Sequence, residues 1–442
     1  MKRIATLLFI LCGCVASLTA QQTTTPSASA LATTDRVAEA LLTPRSALGC
    51  FPSREQMDAA EGSEFAIPLT SWQREELPHA TRFTTRFKRN YRFDDKQIVL
   101  RVEGATGAIS IEVNGTEVGY TSSGACRSEF DLTKRLKENN NLISIVVHKH
   151  FAAQALESAQ EVEPNIARTT LLTPPRVAVA DAVVSTKFNK QGDGLLSLGV
   201  VMQSFLLNSK DYTIYYELYS PEGTLVSSAN KELTTRMLSR DTVNFHARIP
   251  AVRKWTTESP ELYRLVVYTR HENRIKEFTT TQIGFRTVEV DEGEFRFNGE
   301  PLALKPALHT YSSMEQSREE LQRLKQEGYN LVFTLHAVPD EFYSFCDKLG
   351  MMVCTSAYIT CPESDFASSP SNNPAWKEHY QWRANTAYHQ TKIHPSVVMF
   401  SIGYDAQNGI CLYESYLKMK ELKGESRPFV YPHADGEWNS DL

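Results

Sequence analysis

From Ser317 onward the sequence changes rhythm, and that change constrains the fold more than any other feature. "SREELQRLKQEGYN" has helical spacing, with Ser317 placed as an N-cap, Glu320 three residues on as a capping box, and Gly328 at the C-terminal cap. The apolar run "LVFTL" follows, then "EFYSFCDKLG", "MMVCT", a longer helical segment through "AWKEHYQWRANTAYHQTK", "VVMFSI", "YESYLKMKELKG" and "PFVYP". Short apolar strands alternating with helices predict a parallel sheet with crossover helices. About five such strands are expected, whereas a closed (β/α)8 barrel has eight. The expectation for residues 289–442 is therefore an incomplete TIM-type barrel.

The chain before that point has a different period. "QIVLRV" and "AISIEV" alternate apolar and polar residues, and Asn114-Gly115 in "EVNGTEVGY" is a hairpin turn signal. A jelly-roll β-sandwich is expected over residues 61–175. Pro174-Pro175 marks a boundary, after which "LLSLGVVMQSF", "YTIYYELYS", "VNFHARIP" and "LYRLVVYTR" recur with turns between them. About seven short strands in that span predict an immunoglobulin-like β-sandwich over residues 176–288. The fold class is thus multidomain, β followed by α/β.

At 442 residues, with 41% hydrophobic and 22% charged residues, the chain has the composition of a soluble multidomain protein. A net charge of −5 gives no reason to expect nucleic acid or a membrane surface as a partner. The one long apolar run is "MKRIATLLFILCGCVASLTAQQ", with Lys2 and Arg3 before Ile4–Leu11 and small residues before Gln21. It reads as a signal peptide over residues 1–20 and not as a transmembrane segment, so export to the periplasm, cell surface or medium is expected. Leu11–Cys14 also fits a lipoprotein box that would leave a lipid anchor on Cys14. Residues 21–60 read as a flexible lead-in. The remaining cysteines have no zinc-type spacing and are expected to be buried small hydrophobes, with Cys354 and Cys361 left open as a pair.

Chemistry concentrates in "HPSVVMFSIGYDAQNG", an apolar strand, Gly403, and then one carboxylate, Asp405. A carboxylate at a strand end can act as an acid, or it can simply be solvated there. His309 and His336 also end strands and are candidates to line a site there. Trp438, close to the opening of the fifth strand, is a candidate aromatic for the same site.

Several stretches together carry a resemblance. "VNGTEVGYTSSGACRSEFDLTKRLKENNNLISIVV", "KWTTESPELYRLVV" with "IGFRTVEVDEGEFRFNGEPLALK", "LKQEGYNLVFTLHAVPDEFYSFCDKLGMMV", "HPSVVMFSIG" and "RPFVYPHADGEWNSDL" resemble, in order, the first three domains of glycoside hydrolase family 2, the β-galactosidase and β-glucuronidase group. The resemblance implies a sugar-binding jelly roll, an immunoglobulin-like sandwich and a catalytic-type barrel. It also implies an acid/base Glu after an Asn at the end of the fourth barrel strand. This sequence has Tyr404 and Asp405 at those positions. Asp is one methylene shorter, and a misplacement of ~1 Å can cost on the order of 100-fold in rate. The family's nucleophile, a second carboxyl ~5 Å from the first in a retaining enzyme, has no match in the sequence. Where the resemblance places an Arg on the second strand, Phe333 stands between Asn330 and His336. Thr360 and Pro362 stand where the β-galactosidase branch binds magnesium, so neither a metal site nor a cofactor is expected.

Two functions follow as expectations. The first is a catalytically inactive member that binds carbohydrate or serves as a scaffold, with Asp405, Tyr404, His309, His336 and Trp438 as its site residues. The second is an active retaining β-glycosidase that uses Asp405 and a nucleophile not identifiable in the sequence. An open five-stranded sheet leaves an apolar face and an edge to cover. Self-association, a protein partner or the chain's own sandwiches are expected to do so.

Overall fold

The computed structural model describes residues 36–59, 62–157, 163–361 and 367–442. The signal segment, Cys14 and the first part of the lead-in lie outside them. In the first sandwich a six-stranded antiparallel sheet faces a four-stranded one. Ile98, Leu100 and Val102 from one layer meet Ile109, Ile111, Ile143 and Ile145 from the other. The alternation of these residues sends every second side chain inward. Asn114 and Gly115 join strands Ile109–Val113 and Thr116–Thr121, both with positive φ, as a two-residue hairpin of type I′ requires.

The second sandwich packs a three-stranded sheet on a five-stranded one, with Leu198, Val200, Ile214, Tyr216 and Phe285 among its core residues. Its fifth strand is Gly49–Phe51, which pairs with Phe278–Thr280. Residues 36–59 therefore correct the expectation of a flexible lead-in. Ala38–Glu39 pairs with Tyr120–Thr121 of the first sandwich, and the helix Arg54–Ala59 buries Met57. Between them Arg45 Nε binds Glu129 at 2.6 Å and its Nη1 donates to Ala180 O at 3.2 Å. The segment straps one sandwich to the other, and its strands of two and three residues are too short to show a period.

The α/β unit runs β1 (Pro306–His309), α1 (Met314–Gln326), β2 (Leu331–Thr334), α2 (Asp340–Leu349), β3 (Met352–Ser356), α3 (Lys377–Thr391), β4 (Val397–Ser401), α4 (Ile410–Lys420) and β5 (Phe429–Val430). The five strands are parallel and lie in chain order. Ser313, not Ser317, caps α1, its hydroxyl accepting from Gln316 N. Ser-x-x-Gln at 313–316 offers the same capping chemistry as Ser-x-x-Glu at 317–320, and the earlier register wins because Ser317 is engaged by His309.

Both faces of β2 to β5 are covered by the chain itself. Val332, Val353, Phe400 and Phe429 pack on the helices through Leu321, Phe342, Cys346 and Leu412. Leu331, Cys354, Met399 and Val430 face inward against Trp255, Val288, Phe295 and Phe297. Val288 and the two phenylalanines belong to a small three-stranded antiparallel sheet, residues 288–301. The edge of β5 is also occupied, since Asp441 N donates to Phe429 O and Phe429 N donates to Asp441 Oδ2. All six cysteines among the described residues are free thiols, and five of them are buried.

His394, just before β4, is held charged. Burial alone would lower its pKa, but Asp347 at 2.7 Å and Asp340 at 3.3 Å outweigh that and raise it to about 10. A raised histidine pKa gives stability that is complete below its unfolded value, ~6.5, and is lost as pH rises toward 10. The urea midpoint of the wild-type protein should fall across that window. His394→Gln should start lower at pH 6.5 and lose less across it; an equal fall in both would remove His394 as the cause.

Candidate functional site

The C-terminal ends of the parallel strands are where β/α folds build sites, because the loops leaving them converge there. Residues 401–406 leave β4 as a tight turn pinned on both sides. Tyr404 N donates to Ile359 O at 3.0 Å, and Cys361 N donates to Asp405 O at 2.6 Å. Ser401 Oγ donates to Gly403 O, and Tyr431 OH to Ala406 O. A Cβ on Gly403 would meet Leu412 Cδ2 at 3.1 Å, so glycine lets the turn lie close over α4. Asp405 is thus fixed through its backbone, with its half-buried side chain at the mouth of the sheet.

Beside it the mouth is aromatic. Phe333 on β2 lies 6.3 Å from Tyr404, and Tyr404 meets His433, beyond β5, edge-to-face at 5.6 Å. His336 is half-buried after β2. Burial lowers its pKa, partly offset by Glu157 of the first sandwich. That sandwich closes over the β2–β3 side. Leu156 O accepts from Thr360 N at 2.9 Å, and Cys126 joins Tyr358, Ala387 and Trp382 in one cluster.

Tyr358 has φ 58, a left-handed conformation that costs a bulky residue about 1–3 kcal/mol. Arg383 holds it there: this fully buried guanidinium donates to Tyr358 O at 2.7 Å and to Glu157 Oε1 at 2.7 Å. Thr360 offers a hydroxyl where a hard cation needs a carboxylate. No group of three or more His, Cys, Asp or Glu stands together among the described residues.

Two sequence candidates lie elsewhere. His309 is buried on the helix side of β1, with Nδ1 at 3.0 Å from Glu320, Nε2 at 3.2 Å from Ser317, and its ring stacked on Phe342. Alternation explains this: in "PALH" Ala307 and His309 face the helices, while Leu308 lies on the opposite face and is 40% exposed. His309 is therefore not a pocket residue. Trp438 is 54% exposed but packs on Tyr413 and Tyr416 of α4, at 4.9 and 6.0 Å, outside the mouth. The structure adds Phe333 and His433 as mouth residues. His433 follows β5 by three residues, and that spacing was its one visible signal.

Two β-sandwiches lead into a parallel β/α unit with a carboxylate at the end of its fourth strand, the order of domains that the sequence resemblance implies. Residues 177–286 match the family model for glycosyl hydrolases family 2, and residues 310–440 match that family's TIM barrel domain. The chain belongs to glycoside hydrolase family 2. A β-galactosidase of Vibrio vulnificus is 28% identical over 351 residues, covering 74% of this chain and 33% of the relative. One from Priestia megaterium is 27% identical over 349 residues, covering 74% and 34%. The chain thus spans about a third of the length of these relatives. A Bacteroides uniformis β-glucuronidase superposes with a TM-score of 0.70 at 18% identity, covering 89% of this chain and 52% of that one. A putative β-galactosidase from Bacteroides fragilis gives 0.66 at 14%, covering 90% and 64%.

Proposed function

We propose that this chain is an exported family 2 protein that binds β-galactoside- or β-glucuronide-type sugars at the mouth of its parallel sheet without hydrolysing them. The observation that carries this reading is the Phe333–Tyr404 pair, 6.3 Å apart beside Asp405. Aromatic faces stand where the family resemblance places an Arg and an Asn, and aromatic faces stack on the apolar side of a sugar ring. The polar groups that would strengthen their hold in an oxocarbenium-like transition state are replaced. Asp405 is short by one methylene, and its turn is pinned by Cys361 N and Ile359 O, so it is not free to advance. Trp438, with Tyr413 and the amides of Asn408 and Asn439 beside it, offers a second stacking surface at the rim.

Purified protein assayed with aryl β-galactosides and β-glucuronides should show no turnover above buffer. Turnover that Asp405→Asn abolishes would overturn the inactive reading. Calorimetry with the corresponding unreactive sugars should show millimolar binding that Tyr404→Ala removes while the fold is retained. Binding unchanged in that variant would move the site away from the mouth.

A further inference from the structure

A second concave region lies away from the mouth, on the immunoglobulin-like domain. Its floor is the outer face of the three-stranded sheet, where a groove of about 380 Å³ crosses all three strands. The strand register sets its geometry. Lys187, Leu195 and Arg248 form one cross-strand row, and Ser185, Ser197 and His246 form the next. Neighbouring strands are ~4.8 Å apart, so Lys187 and Arg248 flank Leu195 at roughly 10 Å from each other. Past Ser185 and Lys187 the groove opens into a cleft of about 70 Å³ between this domain and the α/β unit.

The two concavities together are lined by six lysines and arginines against two glutamates, on a chain whose net charge is −5. Three of those cations, Lys187, Arg286 and Lys423, have no carboxylate partner among the described residues. Arg286 at the deep end donates Nε to Pro395 O at 2.5 Å and Nη2 to Val397 O at 2.9 Å. Those carbonyls orient the guanidinium without forming an ion pair with it. Burial and the neighbouring Arg427 pull its pKa down to about 9, against a weaker opposing pull from Glu425 and Asp347. An anion in the cleft would relieve both effects.

We propose that this groove and cleft form a binding site for an acidic glycan chain, one bearing uronate carboxylates or sulfate esters, distinct from the mouth of the sheet. The cations are the donors that carboxylate and sulfate oxygens need. Leu195, 38% exposed, gives an apolar contact for a sugar face between two of those charges, and the serine hydroxyls of the second row offer hydrogen bonds to ring hydroxyls. A few unpaired cations spread over two connected concavities suit a sparsely charged chain. Nucleic acid, with one charge per ~1.7 Å of duplex axis, demands a denser field than this acidic protein provides. The choice of a glycan rests on the carbohydrate reading above; the location and sign of the site do not.

The test is calorimetry on the full chain at fixed ionic strength. The probes are oligogalacturonate, a sulfated oligosaccharide of similar length, a neutral galacto-oligosaccharide and a single-stranded oligonucleotide. One or both acidic glycans should bind at least tenfold more tightly than the neutral one, and the two acidic arms separate carboxylate from sulfate as the recognised group. Lys187→Glu/Lys423→Glu should lose at least tenfold, Lys187→Arg/Lys423→Arg should retain binding, and Tyr404→Ala should leave it unchanged. Thermal unfolding of each variant shows that the fold persists. Equal binding of the neutral glycan, tighter binding of the oligonucleotide, an unaffected charge-reversal variant, or no acidic binding would each overturn the proposal. Loss of mouth binding in Tyr404→Ala with acidic binding intact keeps the two sites separate.

Discussion

Lys392→Met is expected to destabilise the folded protein by about 3–5 kcal/mol, the cost of removing one partner from a buried ion pair. Lys392 Nζ lies 2.5 Å from Asp181 Oδ2, with side-chain exposures of 4% and 2%. Burial pulls the lysine pKa down, and Asp181 opposes that pull. Asp181 sits in the immunoglobulin-like domain and Lys392 at the end of α3, so the pair ties the sandwich to the α/β unit. Ser46 N, from the N-terminal strap, donates to the other carboxylate oxygen at 3.2 Å. Removing the ammonium strands a charged carboxylate at the meeting point of three segments. Removing both charges does not, so Asp181→Leu/Lys392→Met should recover much of the loss. Urea denaturation of wild type, both single variants and the double variant closes the cycle. A loss below about 1 kcal/mol for Lys392→Met would mean that the pair behaves as a solvated one.

That junction also marks where the sequence stops being readable. The five parallel strands were legible because each is a short apolar run between helices. The Asn114-Gly115 hairpin was legible because few other dipeptides supply two positive φ values cheaply. Ser313 as N-cap was not, since two Ser-x-x-Gln/Glu texts overlap and only the tertiary contact of Ser317 with His309 decides between them. The structured strap was hidden for a related reason, its strands being held by partners about 80 and 230 residues distant. At the site, Tyr404 and Asp405 followed from family position. His309, expected at the mouth, shares the helix-facing side with Ala307, and the parity of "PALH" ties those two residues to one face without saying which. Arg383, the guanidinium that holds Tyr358 in its left-handed turn, gave no local signal. Its partners are a carbonyl 25 residues back and a glutamate 226 residues back.

The cover on the inner face of the parallel strands underlies the second large effect, Trp255→Ala, expected to cost about 3–5 kcal/mol. Trp255 is fully buried and meets Phe297 edge-to-face at 5.9 Å, in the cluster that covers the inner face of β2 to β5. Its indole N–H donates to Asp347 O at 2.8 Å, and its backbone N and O bind Phe285 and Asn298. The ring therefore fills space, satisfies the end of α2 and fixes the small sheet that shields the strands. The immediate neighbourhood cannot collapse to fill the gap, because Gly284 already lies so close that a Cβ there would meet Trp255 at 2.8 Å. Trp255→Phe keeps most of the apolar area and loses the donor to Asp347, a smaller cost of about 1–3 kcal/mol. Urea midpoints should therefore rank wild type above Phe above Ala. The Ala variant should also bind a hydrophobic dye below its transition, as the inner strand face becomes wet. If Trp255→Ala costs under about 1 kcal/mol and binds no dye, the inner face is held by the 288–301 sheet alone, and the immunoglobulin-like domain is not part of that cover.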